Sequence, residues 1–95
     1  MRLLWTAPAR VDLTALVRYI ANDDVDAALR VEDRIVAAVN RLSEMPSIGR
    51  LGQVRGTREM VVPRTAYLAI YRIKDGDVEV LRILHGAQQW PPRNP

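Results

Sequence analysis

The sequence predicts an α+β fold in the order β-α-α-β-β-β, a mostly antiparallel sheet with a helical hairpin packed on one face. Residues 67–74 and 77–84 alternate apolar and polar side chains on either side of Asp75-Gly76. That dipeptide suits a tight two-residue hairpin turn, because both turn residues must take positive φ. Two amphipathic stretches, at about 8–21 and about 25–44, follow one another with no strand between them. Adjacent helices that are not interleaved with strands point to α+β rather than to alternating α/β.

Residues 2–5, Arg2-Leu3-Leu4-Trp5, read as a short first strand. Thr6 is the expected N-cap, and Pro8 suits the first helical turn, where its missing N–H has no partner to lose. Leu13, Leu16, Val17 and Ile20 then recur at i, i+3, i+4 and i+7, one face of a helix. Asn22-Asp23-Asp24 ends it and caps the next. In the second helix Ala28, Val31, Ile35, Ala38, Val39 and Leu42 form the apolar stripe, and Met45-Pro46 stops it. A short link between two helices makes an antiparallel pair. Residues 46–57 form a connection of about twelve residues with three Gly, one Pro and two Arg. It is long for a small domain, and reads either as a functional loop or as a wrap around the sheet edge. Residues 58–62 are expected as a strand ending at Pro63, and Pro91-Pro92-Arg93-Asn94-Pro95 as a mobile tail.

Simple counting from the turn sets Arg72 opposite Glu79, Ile70 opposite Leu81 and Leu68 opposite Ile83, on one face. Ile73 with Val78, Tyr71 with Val80, Ala69 with Arg82, and Tyr67 with Leu84 share the other. The aliphatic middle of the first set places it under the helices, with Arg72–Glu79 as a rim ion pair. The second set, one arginine between two tyrosines, is then an open face of the kind another molecule covers, or an ordinary sheet face with a snorkelling arginine. His85 closes the last strand as a candidate general acid or base, or as a backbone hydrogen-bonding partner. Trp5 and Trp90 are expected to close the ends of the core.

Ninety-five residues predict a single domain, 1–95, with one modest core burying roughly 60–65% of the unfolded surface. With no cysteine and one histidine, neither a disulfide framework nor a metal site is expected, and no cofactor is implied. No phosphate-binding loop, dinucleotide fingerprint, HExxH or Ser/His/Asp set is present. The N-terminal apolar run is too short for a signal or a membrane span, so a soluble cytoplasmic chain is expected. The charge is uneven: residues 1–48 hold six Arg against seven acids, −1, and residues 49–95 hold seven Arg and one Lys against four acids, +4. A basic half implies an anionic partner, nucleic acid or acidic peptide, although thirteen Arg among fourteen basic residues also fits a base-composition bias.

The segments Trp5-Thr-Ala-Pro-Ala-Arg-Val-Asp-Leu13, Tyr19-Ile-Ala21, Leu42-Ser-Glu-Met-Pro-Ser-Ile-Gly-Arg50, Gly56-Thr-Arg-Glu-Met-Val-Val62, Tyr67-Leu-Ala-Ile-Tyr-Arg72 and Val80-Leu-Arg-Ile-Leu-His-Gly86 together resemble the ParE/RelE superfamily. Its members are toxins of type II toxin–antitoxin modules, including plasmid-stabilisation modules. The resemblance covers nearly the whole chain. It implies the β-α-α-β-β-β fold and a cognate antitoxin whose arm wraps the toxin, with DNA reached only through that antitoxin. RelE-like members cut messenger RNA on the ribosome, and ParE-like members inhibit DNA gyrase. Two arginine positions of the RelE-type pattern fall here on Leu68 and Gln88, and the long connection offers only Arg50 and Arg55. His85 matches a strand-terminal histidine of some nucleases, without the Glu and Tyr that accompany it. The resemblance therefore favours a gyrase-directed toxin, with Arg58, Arg64 and Arg82 as its basic contact surface. Arg50, Tyr67 and Tyr71 complete the residues expected to meet the target or the antitoxin. The alternative is a ribosome-dependent endoribonuclease using His85 with Arg82, and a third reading is a non-toxic binding module.

Overall fold

A computed structural model describes residues 1–92, and the last three positions of the expected tail lie outside the described residues. Strand β1 (Arg2–Trp5) leads into helices α1 (Ala7–Ala21) and α2 (Val25–Asn40). Strands β2 (Arg50–Leu51), β3 (Arg58–Val61), β4 (Tyr67–Lys74) and β5 (Asp77–His85) follow. A 3₁₀ turn at Arg41–Ser43 ends the second helix four residues short of the expected boundary at 44. The α+β class and the helical pair are as the sequence predicts. The long connection contributes one further strand, β2, so among the described residues the sheet has five strands in the order β1-β5-β4-β3-β2. Only β1 and β5 run parallel.

Local chemistry accounts for the helix starts. The Thr6 hydroxyl accepts from the Ala9 N–H at 3.4 Å, and Asp24 accepts from the Ala27 N–H at 3.0 Å. The core lies between the helical pair and one sheet face. Ile35, Val39 and Leu42 come from the α2 side and Val62, Tyr71, Val78 and Val80 from the sheet, all fully buried. Each such side chain contributes about 1.5–3 kcal/mol relative to exposure.

The hairpin turns where the sequence places it, with Asp75 at φ 52° and Gly76 at φ 78°. Pairing matches simple counting only as far as Tyr71↔Val80. A β-bulge then leaves Leu81 unmatched, and the pairs become Ile70↔Arg82, Ala69↔Ile83, Leu68↔Leu84 and Tyr67↔His85. The expected faces are corrected with the register. Ala69, Tyr71, Val78 and Val80 lie under the helices, not on an open face, and Tyr67 packs against them. Ile83 is on the helical side as expected, because the bulge puts it on the same side as Val80. The Arg72–Glu79 ion pair forms, but on the side away from the helices.

Tyr71 shows why the aliphatic count misassigned the face. Its ring is fully buried, and its hydroxyl donates to the Pro46 carbonyl at 2.6 Å and accepts from the Gly49 N–H at 2.9 Å. A tyrosine whose polar tip is satisfied packs as a large apolar residue. Gly49 is needed at this approach, since a Cβ there would sit 2.7 Å from the phenol oxygen.

Candidate interaction surfaces

The bulge in β5 is built against α1. The Thr6 N–H and hydroxyl donate to the Val80 carbonyl at 3.1 and 2.7 Å, and the hydroxyl lies 3.2 Å from the Leu81 carbonyl. Beyond Val80 no strand among the described residues pairs with the outer side of β5, because β1 ends at Trp5↔Val80. Asp12 of α1 takes the place of the missing strand. Its carboxylate accepts from the Ile83 N–H at 2.9 Å and from Arg82 Nε and Nη2 at 2.7 and 3.0 Å. The hydrogen bond and charge of Asp12 raise the Arg82 pKa above its ordinary value, against the effect of burial.

This arrangement separates the residues that the sequence groups together. Arg82 leaves β5 on the side of its partner Ile70 and is held by Asp12, whereas Tyr71 is enclosed beneath the helices. The open tyrosine–arginine face expected from the sequence is therefore not formed. Tyr67 is half-buried, with its ring edge-on to His85 at a centroid distance of 5.5 Å and an interplanar angle of 85°. His85 is exposed, and its Nδ1 accepts from the Ala87 N–H at 3.0 Å, which places the proton of the neutral ring on Nε2. Three positions apart on one strand, His85 and Arg82 leave it on opposite sides.

The other arginines expected to make contacts lie toward the β2–β3 edge of the sheet. Arg50 pairs with Glu59 across β2 and β3 at 3.0 Å. Arg58 donates inward to the Gly49 carbonyl at 2.8 Å and the Ser47 carbonyl at 3.4 Å, so it holds the long connection in place. Arg64 is exposed in the β3–β4 turn, and its carbonyl accepts from Arg34 at 3.2 Å.

Sequence reasoning missed the groove between α2 and this edge. A hollow of about 280 Å³ is lined by Ala38, Arg41, Ile48, Arg50, Val61 and Pro63 among others. It shares Ala38, Arg41 and Pro63 with a second hollow of about 260 Å³, which adds Asp33, Arg34 and Arg64. Ile48, Leu51 and Val61 are exposed apolar side chains at this edge. Strand β2 covers only Arg58 and Glu59, so the outer side of β3 at Val61 has no strand partner among the described residues. The spacing of Arg34, Ala38 and Arg41, i, i+4 and i+7 along α2 and into the 3₁₀ turn that follows it, was the available signal.

Among the described residues no three His, Cys, Asp or Glu side chains gather as a metal site, and no helix is long and apolar enough to cross a membrane.

Comparison with known proteins agrees with this architecture. The family described as the ParE toxin of the type II toxin–antitoxin system parDE matches residues 3–90. The protein named "Putative toxin Y4kP" of Sinorhizobium fredii is 46% identical over 90 residues, covering 95% of this chain and 93% of its own. Toxin RelE2 of Caulobacter vibrioides is 37% identical over 87 residues, covering 92% and 97%. A chain of the chromosomal ParDE system of P. aeruginosa superposes with a TM-score of 0.80 at 31% identity, covering 90% of this chain and 95% of that one. A chain of the RelBE2 toxin–antitoxin complex of Mycobacterium tuberculosis gives 0.65 at 27% identity, covering 88% and 95%.

Proposed function

Because the chain belongs to the ParE toxin family of type II toxin–antitoxin systems, we propose that it arrests growth in the cytoplasm as a binding inhibitor of DNA gyrase, released from or restrained by a cognate antitoxin. The carrying observation is the position of Arg82. Its guanidinium is held through Nε and Nη2 by Asp12 and leaves β5 away from His85. A ribonuclease needs cations at the scissile phosphate to stabilise the charge that develops there. An arginine already neutralised by a bidentate carboxylate serves that purpose poorly.

The groove between α2 and β3 fits the antitoxin. Arg34, Arg41 and Arg64 surround exposed Ile48 and Val61, with Arg50 held by Glu59 beside them, and the free side of β3 can accept an extended chain. An acidic segment with alternating apolar residues matches both the charge and the open edge.

Purified chain tested against gyrase supercoiling is the deciding experiment. Inhibition relieved by antitoxin is expected, and unaffected supercoiling at large molar excess removes the gyrase reading. The second reading, ribosome-dependent messenger RNA cleavage, draws support from the exposed Nε2–H of His85 and from relatives carrying the RelE name. Growth arrest that vanishes in His85→Ala while supercoiling is untouched would establish it instead.

A further inference from the structure

We infer that the outer surface of α1, continuing onto the end of β5, is a second docking surface, and that its occupant is an acidic amphipathic helix of the toxin's target protein. The inference rests on the reading that this chain acts by binding a protein target, and it concerns a face separate from the antitoxin groove. Val11, Ala15 and Tyr19 follow one another at i, i+4 and i+8 and form a row along α1. Val11 is 66% exposed and Tyr19 is 76% exposed. Such rows are the ridges that fit between the rows of another helix, and the small Ala15 between two larger residues leaves room for an incoming side chain. A depression of about 390 Å³ lies there, between Arg10, Val11, Thr14, Ala15 and Arg18. It meets at Ala15 a second groove of about 540 Å³ that runs past Tyr19 to Tyr67 and His85. Exposed tyrosines beside a groove are the side chains that most often anchor protein partners.

The charge of this face selects the partner. Arg10 and Arg18 are exposed and take part in none of the ion pairs formed among the described residues. Asp12 is the only carboxylate that α1 carries, and it is engaged by Arg82 and the Ile83 N–H. An apolar row flanked by free guanidiniums complements a helix with an apolar row flanked by carboxylates. A nucleic acid backbone would meet the arginines but would leave Val11 and Tyr19 against phosphate.

The test uses two variants, Arg10→Glu/Arg18→Glu and Tyr19→Ala. Arg18 also complements the C-terminal end of α1, and Tyr19→Ala leaves that interaction intact. Growth arrest on induction and antitoxin affinity are measured for both, with circular dichroism to confirm folding. Arrest weakened by about tenfold or more in surviving colonies, with antitoxin affinity kept within about twofold, is expected. Unchanged arrest in folded Tyr19→Ala overturns the inference. Loss of antitoxin affinity in step with arrest reassigns the surface to the antitoxin and also overturns it. Duplex DNA or RNA binding by the wild type that both variants abolish makes this a nucleic-acid face, with the same consequence. A wild-type chain that arrests growth without affecting supercoiling sinks the gyrase reading alone, while one that arrests nothing removes the target and this inference together.

Discussion

The outer sides of β5 and β3 are treated in opposite ways. On β5 the backbone beyond Val80 is sealed by side chains of α1, with Thr6 on the bulge carbonyls and Asp12 on the Ile83 N–H. On β3 the outer side beyond Glu59 has no strand partner among the described residues, and arginines and exposed aliphatic groups surround it. An open strand edge is normally a liability because it pairs with other chains. A fold that closes one edge with a carboxylate and leaves the other bare would keep a structural edge apart from the proposed binding edge. The positive charge around the bare edge also disfavours pairing between two copies of the same chain.

Breaking the sealed edge is expected to have the largest effect. Asp12→Ala leaves the Ile83 N–H and the Arg82 guanidinium without their partner and should cost about 2–3 kcal/mol in urea denaturation. Asp12→Asn, which keeps an acceptor for Ile83, should recover part of that loss. Tyr71→Phe comes next at about 1–2 kcal/mol, since it strips the Gly49 N–H of its acceptor without opening a large cavity. A chevron analysis of the same variant should show whether the loss appears in unfolding. Val61→Asp, on the bare edge, should change stability by no more than about 0.5 kcal/mol yet weaken antitoxin binding by about tenfold or more. Calorimetric titration with antitoxin decides this, and unchanged affinity removes the docking assignment for that edge.

The smallest effect concerns pH. Arg2 holds the Asp77 carboxyl below its ordinary value through a hydrogen bond at 2.9 Å, with charge attraction adding to it. A lowered folded value means the stabilisation is present above the unfolded carboxylate range and is lost as pH falls through the folded value. Asp77→Asn should flatten the acid limb of a stability–pH profile slightly, by lowering the plateau above the carboxylate range while leaving the acidic end unchanged.

Local chemistry made part of this legible in advance. Asp75-Gly76 can hardly be anything but a hairpin turn, and Thr6 and Asp24 announce their helices through the oxygen each offers to an N–H three residues on. What escaped depends on contacts distant in sequence. The bulge at Leu81 exists because α1 supplies partners to both sides of it, seventy or more residues away in the chain. Tyr71 is buried because Pro46 and Gly49 meet its hydroxyl, and neither partner is visible in the period-two pattern of β4. One inversion followed from the other: once Tyr71 faces the helices, the aliphatic Leu68 and Ile70 must face away. The candidate antitoxin groove was recoverable only in part. The spacing of Arg34 and Arg41 marks one wall, but the bare edge opposite appears only once β2 is seen to stop at two residues.

The Tyr71 phenol has a practical consequence for anyone engineering this molecule. It fastens the chain at both Pro46 and Gly49, so an insertion between those residues would unfasten the connection from the middle of the sheet. Past Gly52 the same connection makes a hairpin whose tip, Gln53 to Gly56, is held chiefly by Thr57 reaching back to the Val54 carbonyl. A fluorophore-binding or epitope peptide belongs in that tip, where grafting leaves the anchored stretch undisturbed.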